Sequence, residues 1–89
     1  MAAIVIYGTG ACPYCLRARR LLDGKGVKYT EIRVDLDPTR CREMEARAGR
    51  RSVPQIFIGD LHVGGCDDLY ALERQGRLDE LLSHPVPVK

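Results

Sequence analysis

No apolar run in this 89-residue sequence approaches the ~18 residues that a membrane-crossing helix requires. A membrane partner is therefore not expected. The opening Met1-Ala2-Ala3-Ile4 lacks the basic segment and cleavage pattern of an export signal, so a cytoplasmic location is expected. Charge of one sign is not in excess. Fourteen Lys and Arg stand against twelve Asp and Glu, a net charge of +2, which is too mild to argue for nucleic acid. Internal repeats, linkers and low-complexity stretches are absent, and the length suits one domain over residues 1–89 rather than two. Histidine is scarce. His62 and His84 are isolated, and neither has a partner at metal-ligand spacing.

Cysteine, by contrast, is present four times: Cys12, Cys15, Cys41 and Cys66. In a reducing compartment a Cys-x-x-Cys pair is catalytic or metal-binding rather than a structural staple. Zinc sites usually need a second such pair or a His pair, and here the remaining candidates are scattered. Arginines also gather, first as Arg17, Arg19 and Arg20, then as Arg40, Arg42, Arg47, Arg50 and Arg51. They read as solvated helix faces, or as a positive rim for a small acidic ligand or an acidic partner.

The pattern of elements places the pair. Ala3 to Tyr7 is a short apolar run of the central-strand kind. Gly8 to Ala11 turns the chain, and Pro13 suits a first helical position with Cys12 as its N-cap. That helix turns Cys15, Ala18, Leu21 and Leu22 inward and stops near Gly24 or Gly26. Val27 to Val34 reads as a second strand. Asp37-Pro38 caps a second helix that ends near Gly49, with Cys41, Met44 and Ala48 on one face. Gln55 to Ile58, Gly59-Asp60 and Leu61 to Val63 form a hairpin. A third helix runs from about Asp67 to Gln75, a short one fits Arg77 to Ser83, and residues 84–89 are expected to fray. The strand-helix-strand start predicts two parallel strands with a right-handed crossover, and the hairpin adds two antiparallel ones. The prediction is an α/β fold with a four-stranded mixed sheet flanked by helices on both faces.

Placing Cys12 at a helix N-terminus favours its thiolate, the form that attacks disulfides. An ordinary thiol is only about 3% ionised at pH 7, and lowering a pKa by ~3 units takes about 4 kcal/mol. A helix dipole supplies ~0.3–1 kcal/mol, up to ~2 in good geometry. First-turn N–H groups and the Cys15 S–H must therefore add hydrogen bonds to the sulfur. Cys15, further inside, is the expected resolving thiol. Val53-Pro54 precedes a strand. It can be a plain strand start, or a cis peptide that turns Val53 backbone groups outward toward an extended peptide. Gly64-Gly65 before Cys66-Asp67-Asp68 is explained by helix capping alone. Its functional alternative is a zwitterion site, with backbone N–H groups for a carboxylate and an aspartate for the neighbouring ammonium.

Cys12-Pro13-Tyr14-Cys15, Ser52-Val53-Pro54 and Gly64-Gly65-Cys66-Asp67-Asp68 together resemble, in order and spacing, the motifs of the glutaredoxin family. The resemblance runs from Ile4 to about Leu82 and is strongest to short bacterial dithiol members. It implies a thioredoxin fold and glutathione-dependent disulfide reduction, with Cys12 as nucleophile and Cys15 as resolving thiol. It implies that Tyr14 borders the bound glutathione and that Val53, before a cis Pro54, pairs with its cysteinyl backbone. Gly65, Cys66, Asp67 and Asp68 would hold the γ-glutamyl end, and Arg40 is the candidate cation for the glycine carboxylate. No bound metal or organic cofactor is implied, glutathione being the reductant. Partners would be disulfide-containing or glutathionylated proteins, ribonucleotide reductase among the family possibilities, acted on by a monomer. One departure stands out: Thr9 occupies the position where many relatives have a lysine, leaving Arg17 or Arg51 to compensate. Arg51 replaces a frequent threonine, and Cys41 reads as a half-buried bystander. Two other functions compete. One is an iron–sulfur carrier bridging a cluster between subunits, against which Pro13 and Tyr14 argue. The other is a thioredoxin-like donor served by a flavoprotein reductase.

Overall fold

The computed structural model describes residues 3–83, so the expected frayed tail over 84–89 lies outside the described residues. Four strands and four helices follow one another as β1 (Ile4–Gly8), α1 (Pro13–Gly24), β2 (Thr30–Arg33), α2 (Pro38–Ala48), β3 (Gln55–Ile58), β4 (Leu61–Gly64), α3 (Cys66–Arg74) and α4 (Leu78–Ser83). The sheet order is β2-β1-β3-β4. β1 and β2 are parallel, with Val5 opposite Thr30 and Tyr7 opposite Ile32. β3 runs antiparallel to both β1 and β4. This is the four-stranded mixed sheet predicted from the element order, and the thioredoxin-like fold that the resemblance implies.

Alternation along β1 sorts the core into two halves. Ile4 and Ile6 join Ile56 and Ile58 under α1, α3 and α4, meeting Ala18, Leu22, Leu69, Leu78 and Leu82. Tyr7 points to the opposite face and packs with Phe57, Val34 and the Met44 side chain of α2. Burying each large apolar side chain contributes ~1.5–3 kcal/mol, so both faces of the sheet are held. At the α1 end, Lys25 bridges Glu73 of α3 at 2.6 Å and Asp79 of α4 at 2.9 Å.

Local chemistry sets the boundaries. Asp37 accepts the Thr39 N–H at 2.9 Å and caps α2 ahead of Pro38. Gly49 closes the same helix at φ 70°, a left-handed conformation that costs glycine little. Two expectations are corrected. The second strand covers only Thr30–Arg33 instead of Val27 to Val34, because it is an edge strand with β1 as its one neighbour. Val27 and Tyr29 pack against the larger core without joining the ladder. The third helix starts one residue earlier, at Cys66, and ends at Arg74.

Candidate active site

Cys12 is the N-cap of α1 in extended backbone conformation, and its Sγ accepts the Cys15 N–H at 3.4 Å. Its thiol can also donate to the Val53 carbonyl at 3.9 Å. Cys12 is partly exposed, while Cys15, one turn inward, is fully buried. Partial burial pushes the Cys12 thiol up. The Cys15 N–H, the Cys15 thiol, the Tyr14 N–H and the Arg19 charge pull it down, and the net direction is down. Cys15 goes the other way. Burial foremost, then the adjoining Cys12, pushes it up to about 11 against an opposing hydrogen bond from the Thr9 backbone. The pair is thus split into an acidic, reachable sulfur and a buried one that keeps its proton and can donate it as a hydrogen bond. Gly8 makes this arrangement possible. A Cβ there would lie 2.9 Å from the Cys15 Sγ.

The Val53–Pro54 peptide bond is cis, and the loop after α2 lies against the N-terminus of α1, where Cys12 Sγ faces the Val53 carbonyl. A groove of about 320 Å³ opens here. Tyr14, 53% exposed, stands on one side. Ser52, Val53 and Pro54 line the loop side, and Gly65 to Asp68 line the other. The start of α3 lies beside the loop: a Cβ on Gly65 would be 3.4 Å from the Pro54 carbonyl oxygen, an ordinary contact distance. The Asp68 carboxylate turns back to accept the Gly65 N–H at 3.0 Å. Arg50, also at the groove, lies 3.6 Å from the same oxygen. Cys66 is buried in this wall. Burial raises its thiol most, Asp67 and Cys12 add to that, and Arg17 opposes it.

A family model described as glutaredoxin matches residues 4–63. The chain belongs to the glutaredoxin family. It is 57% identical over 83 residues to a glutaredoxin of Pseudomonas aeruginosa, covering 93% of this chain and 99% of that one. Against glutaredoxin 3 of Escherichia coli it is 52% identical over 82 residues, covering 92% and 99%. Among solved structures it resembles a buckwheat glutaredoxin in complex with glutathione, with a TM-score of 0.85 and 32% identity over 92% of this chain and 77% of that one. This glutaredoxin is accordingly a thiol–disulfide oxidoreductase with a thioredoxin-like fold.

Of the candidate residues in this glutaredoxin, Tyr14, Val53, Pro54, Gly65, Cys66, Asp67 and Asp68 line one groove, with the Cys12 sulfur against Val53. Arg40 does not line it. Its guanidinium pairs with Glu43 at 2.9 Å on α2, and Glu43 also accepts the Tyr7 hydroxyl. Arg50 takes the position at the groove instead. Its signal was the short span from the Gly49 cap to Val53, of which Arg50 and Ser52 line the groove. Arg19, which the sequence does not single out for this role, is a charge that lowers the Cys12 thiol pKa. Arg17 lies over the Tyr70 ring, 5.9 Å from its centroid, and Arg51 reaches out to Glu45 at 3.4 Å. Cys41 is half-buried and donates to Glu45 at 3.6 Å.

Proposed function

We propose that this glutaredoxin takes its electrons from glutathione and reduces protein–glutathione mixed disulfides and protein disulfides through Cys12 and Cys15. The Cys12 thiolate attacks one sulfur of the substrate disulfide, the S–S bond breaks, and the departing thiolate takes a proton from solvent. When the attacked sulfur is that of glutathione, a second glutathione thiolate attacks the Cys12–glutathione bond. Glutathione disulfide leaves and the Cys12 thiolate returns. When the substrate is a protein disulfide, Cys15 instead attacks the Cys12–protein bond, and its proton passes to the protein thiolate that leaves as that bond breaks. The resulting Cys12–Cys15 disulfide is then reduced by two glutathiones.

The observation that carries the reading is the groove beside the acidic Cys12 sulfur, at about 320 Å³ near the lower end of small-ligand sites. Its chemistry suits a short zwitterionic peptide. In our reading the backbone of Val53 pairs with the cysteinyl residue and Tyr14 covers it. First-turn N–H groups of α3 have no intrahelical partner and would meet the γ-glutamyl carboxylate, with Asp67 for the ammonium. Asp68 is engaged in capping Gly65, so it contributes by shaping the helix start. Arg50 replaces Arg40 as the cation for the glycine carboxylate. The buckwheat relative's complex with glutathione supports the same ligand.

The test uses glutathione as reductant and a glutathionylated peptide as substrate. Cys12→Ser is expected to abolish turnover. Cys15→Ser is expected to retain release of glutathione from the peptide and to lose reduction of a protein disulfide. Turnover by Cys12→Ser would overturn the assignment, and turnover that needs a flavoprotein reductase in place of glutathione would overturn the reductant.

A further inference from the structure

Gln55 is the one buried polar side chain among the described residues, with no exposed surface. It opens β3 directly after the cis proline, and both ends of its amide are engaged. Nε2 donates to the Ser52 carbonyl oxygen at 3.0 Å and to the Ser52 hydroxyl at 3.2 Å. Oε1 lies 2.7 Å from Nε2 of His62 on β4. The orientation of this amide follows from its partners. A carbonyl oxygen cannot donate, so the NH2 end must face Ser52 and the oxygen must face His62. His62 therefore carries a proton on Nε2 and donates it. Its ring is held by stacking on Phe57, with centroids 4.8 Å apart and planes 23° apart.

The consequence lies one peptide further on. The Ser52 carbonyl and the Val53 N–H belong to the same planar unit, and in a trans peptide they point in opposite directions. A carbonyl drawn inward to Gln55 turns the Val53 N–H outward, on the side of the groove that Val53 lines. The geometry points to His62 as a positioning residue for ligand binding. Through Gln55 it fixes the Ser52–Val53 peptide and so aims the Val53 N–H at the ligand backbone. What binds there rests on the glutathione reading above; the relay itself does not. His62 touches no reacting atom, so its loss is read in binding rather than in chemistry. Without the His62 donor, the buried Gln55 oxygen is left unpaired, a costly state that the amide relieves by turning away from Ser52.

Two measurements on His62→Leu and His62→Gln test this. The first is steady-state turnover of a glutathionylated peptide. His62→Leu is expected to raise KM roughly three- to tenfold, the scale of one net hydrogen bond, with kcat within about twofold. His62→Gln, which retains an N–H donor, is expected to recover most of the loss. The second is the 15N order parameter of the Val53 amide. It is expected to fall from the rigid value of ~0.85 toward ~0.6 in His62→Leu and to recover in His62→Gln. If His62→Leu does not fold, Gln55→Leu removes the buried amide altogether and is expected to give the same rise in KM. An unchanged KM, a loss confined to kcat, or no recovery in His62→Gln overturns the positioning role. Should the wild-type protein not be saturable by the glutathionylated peptide, the glutathione reading falls, and the Val53 order parameter alone decides whether the relay exists.

Discussion

Gly8→Ala is a one-methyl change aimed at the packing beneath the Cys12–Cys15 pair. The added Cβ would sit 2.9 Å from Cys15 Sγ and 3.4 Å from Cys15 Cβ. Carbon and sulfur do not tolerate the shorter distance, so the fully buried Cys15 side chain or the backbone around it must shift. Overpacking of this kind costs ~1–3 kcal/mol. Gly8 is not among the residues with positive φ, so alanine also stiffens the unfolded chain without backbone strain, offsetting ~0.4–1 kcal/mol. At midrange values the net expectation is a destabilisation of about 1.3 kcal/mol, or ~5–10 °C in Tm for a domain of this size. Urea unfolding should show a lower midpoint at unchanged m. Because the strain displaces the Cys15 thiol from Cys12, alkylation of Cys12 at pH 6 should also slow several-fold. A variant as stable as the wild type, with unchanged alkylation, would refute the packing argument.

Three further outcomes follow from the same geometry. Arg50→Gln should raise KM for a glutathionylated peptide several-fold while Arg40→Gln leaves it unchanged; steady-state kinetics of the two variants check this, and the reverse order would restore Arg40 as the carboxylate partner. Asp68→Ala removes the acceptor of the Gly65 N–H and should cost ~0.5–1.5 kcal/mol in urea unfolding; no change would mean that solvent replaces the cap. The Cys15 thiol, pushed up to about 11 on folding, contributes stability that is fully present below the ordinary thiol pKa of about 8.5 and is lost as pH rises through about 11, since the unfolded chain releases that proton first. Unfolding midpoints across that window should fall less steeply in Cys15→Ala than in the wild type, and equal slopes would contradict the assignment.

Features written in local chemistry were legible in the sequence. Pro13 after Cys12, Pro38 after Asp37, Gly49 at a left-handed cap and Gly59-Asp60 at the hairpin each act within a few residues, and each sits where expected. The split between the two thiols was legible for the same reason, because an N-cap sulfur and its hydrogen bonds belong to one helical turn. What depended on distant partners was not. The edge position of β2 trims the ladder to Thr30–Arg33, although β-forming residues extend further on both sides. Arg40 and Arg50 look alike in sequence, but one is drawn to Glu43 beside Tyr7 and the other is carried to the groove by the chain leaving α2. Arg19 reaches the field of Cys12 while bridging Glu31 on β2 at 2.7 Å, a placement set by helix packing on the sheet. The Ser52–Gln55–His62 relay needs strand pairing to exist at all.

The central claim is that hydrogen bonds from the first turn of α1 and from Cys15, together with Arg19, make Cys12 acidic without a lysine at the Thr9 position. Its most direct test is the alkylation rate of each cysteine by iodoacetamide as a function of pH, resolved by mass spectrometry of the reduced protein. The account predicts that Cys12 reaches its rate plateau below the ordinary thiol range, while Cys15 stays unreactive until strongly alkaline pH. A Cys12 rate that climbs about tenfold per pH unit through neutrality, as for a free cysteine with its pKa near 8.5, would contradict it.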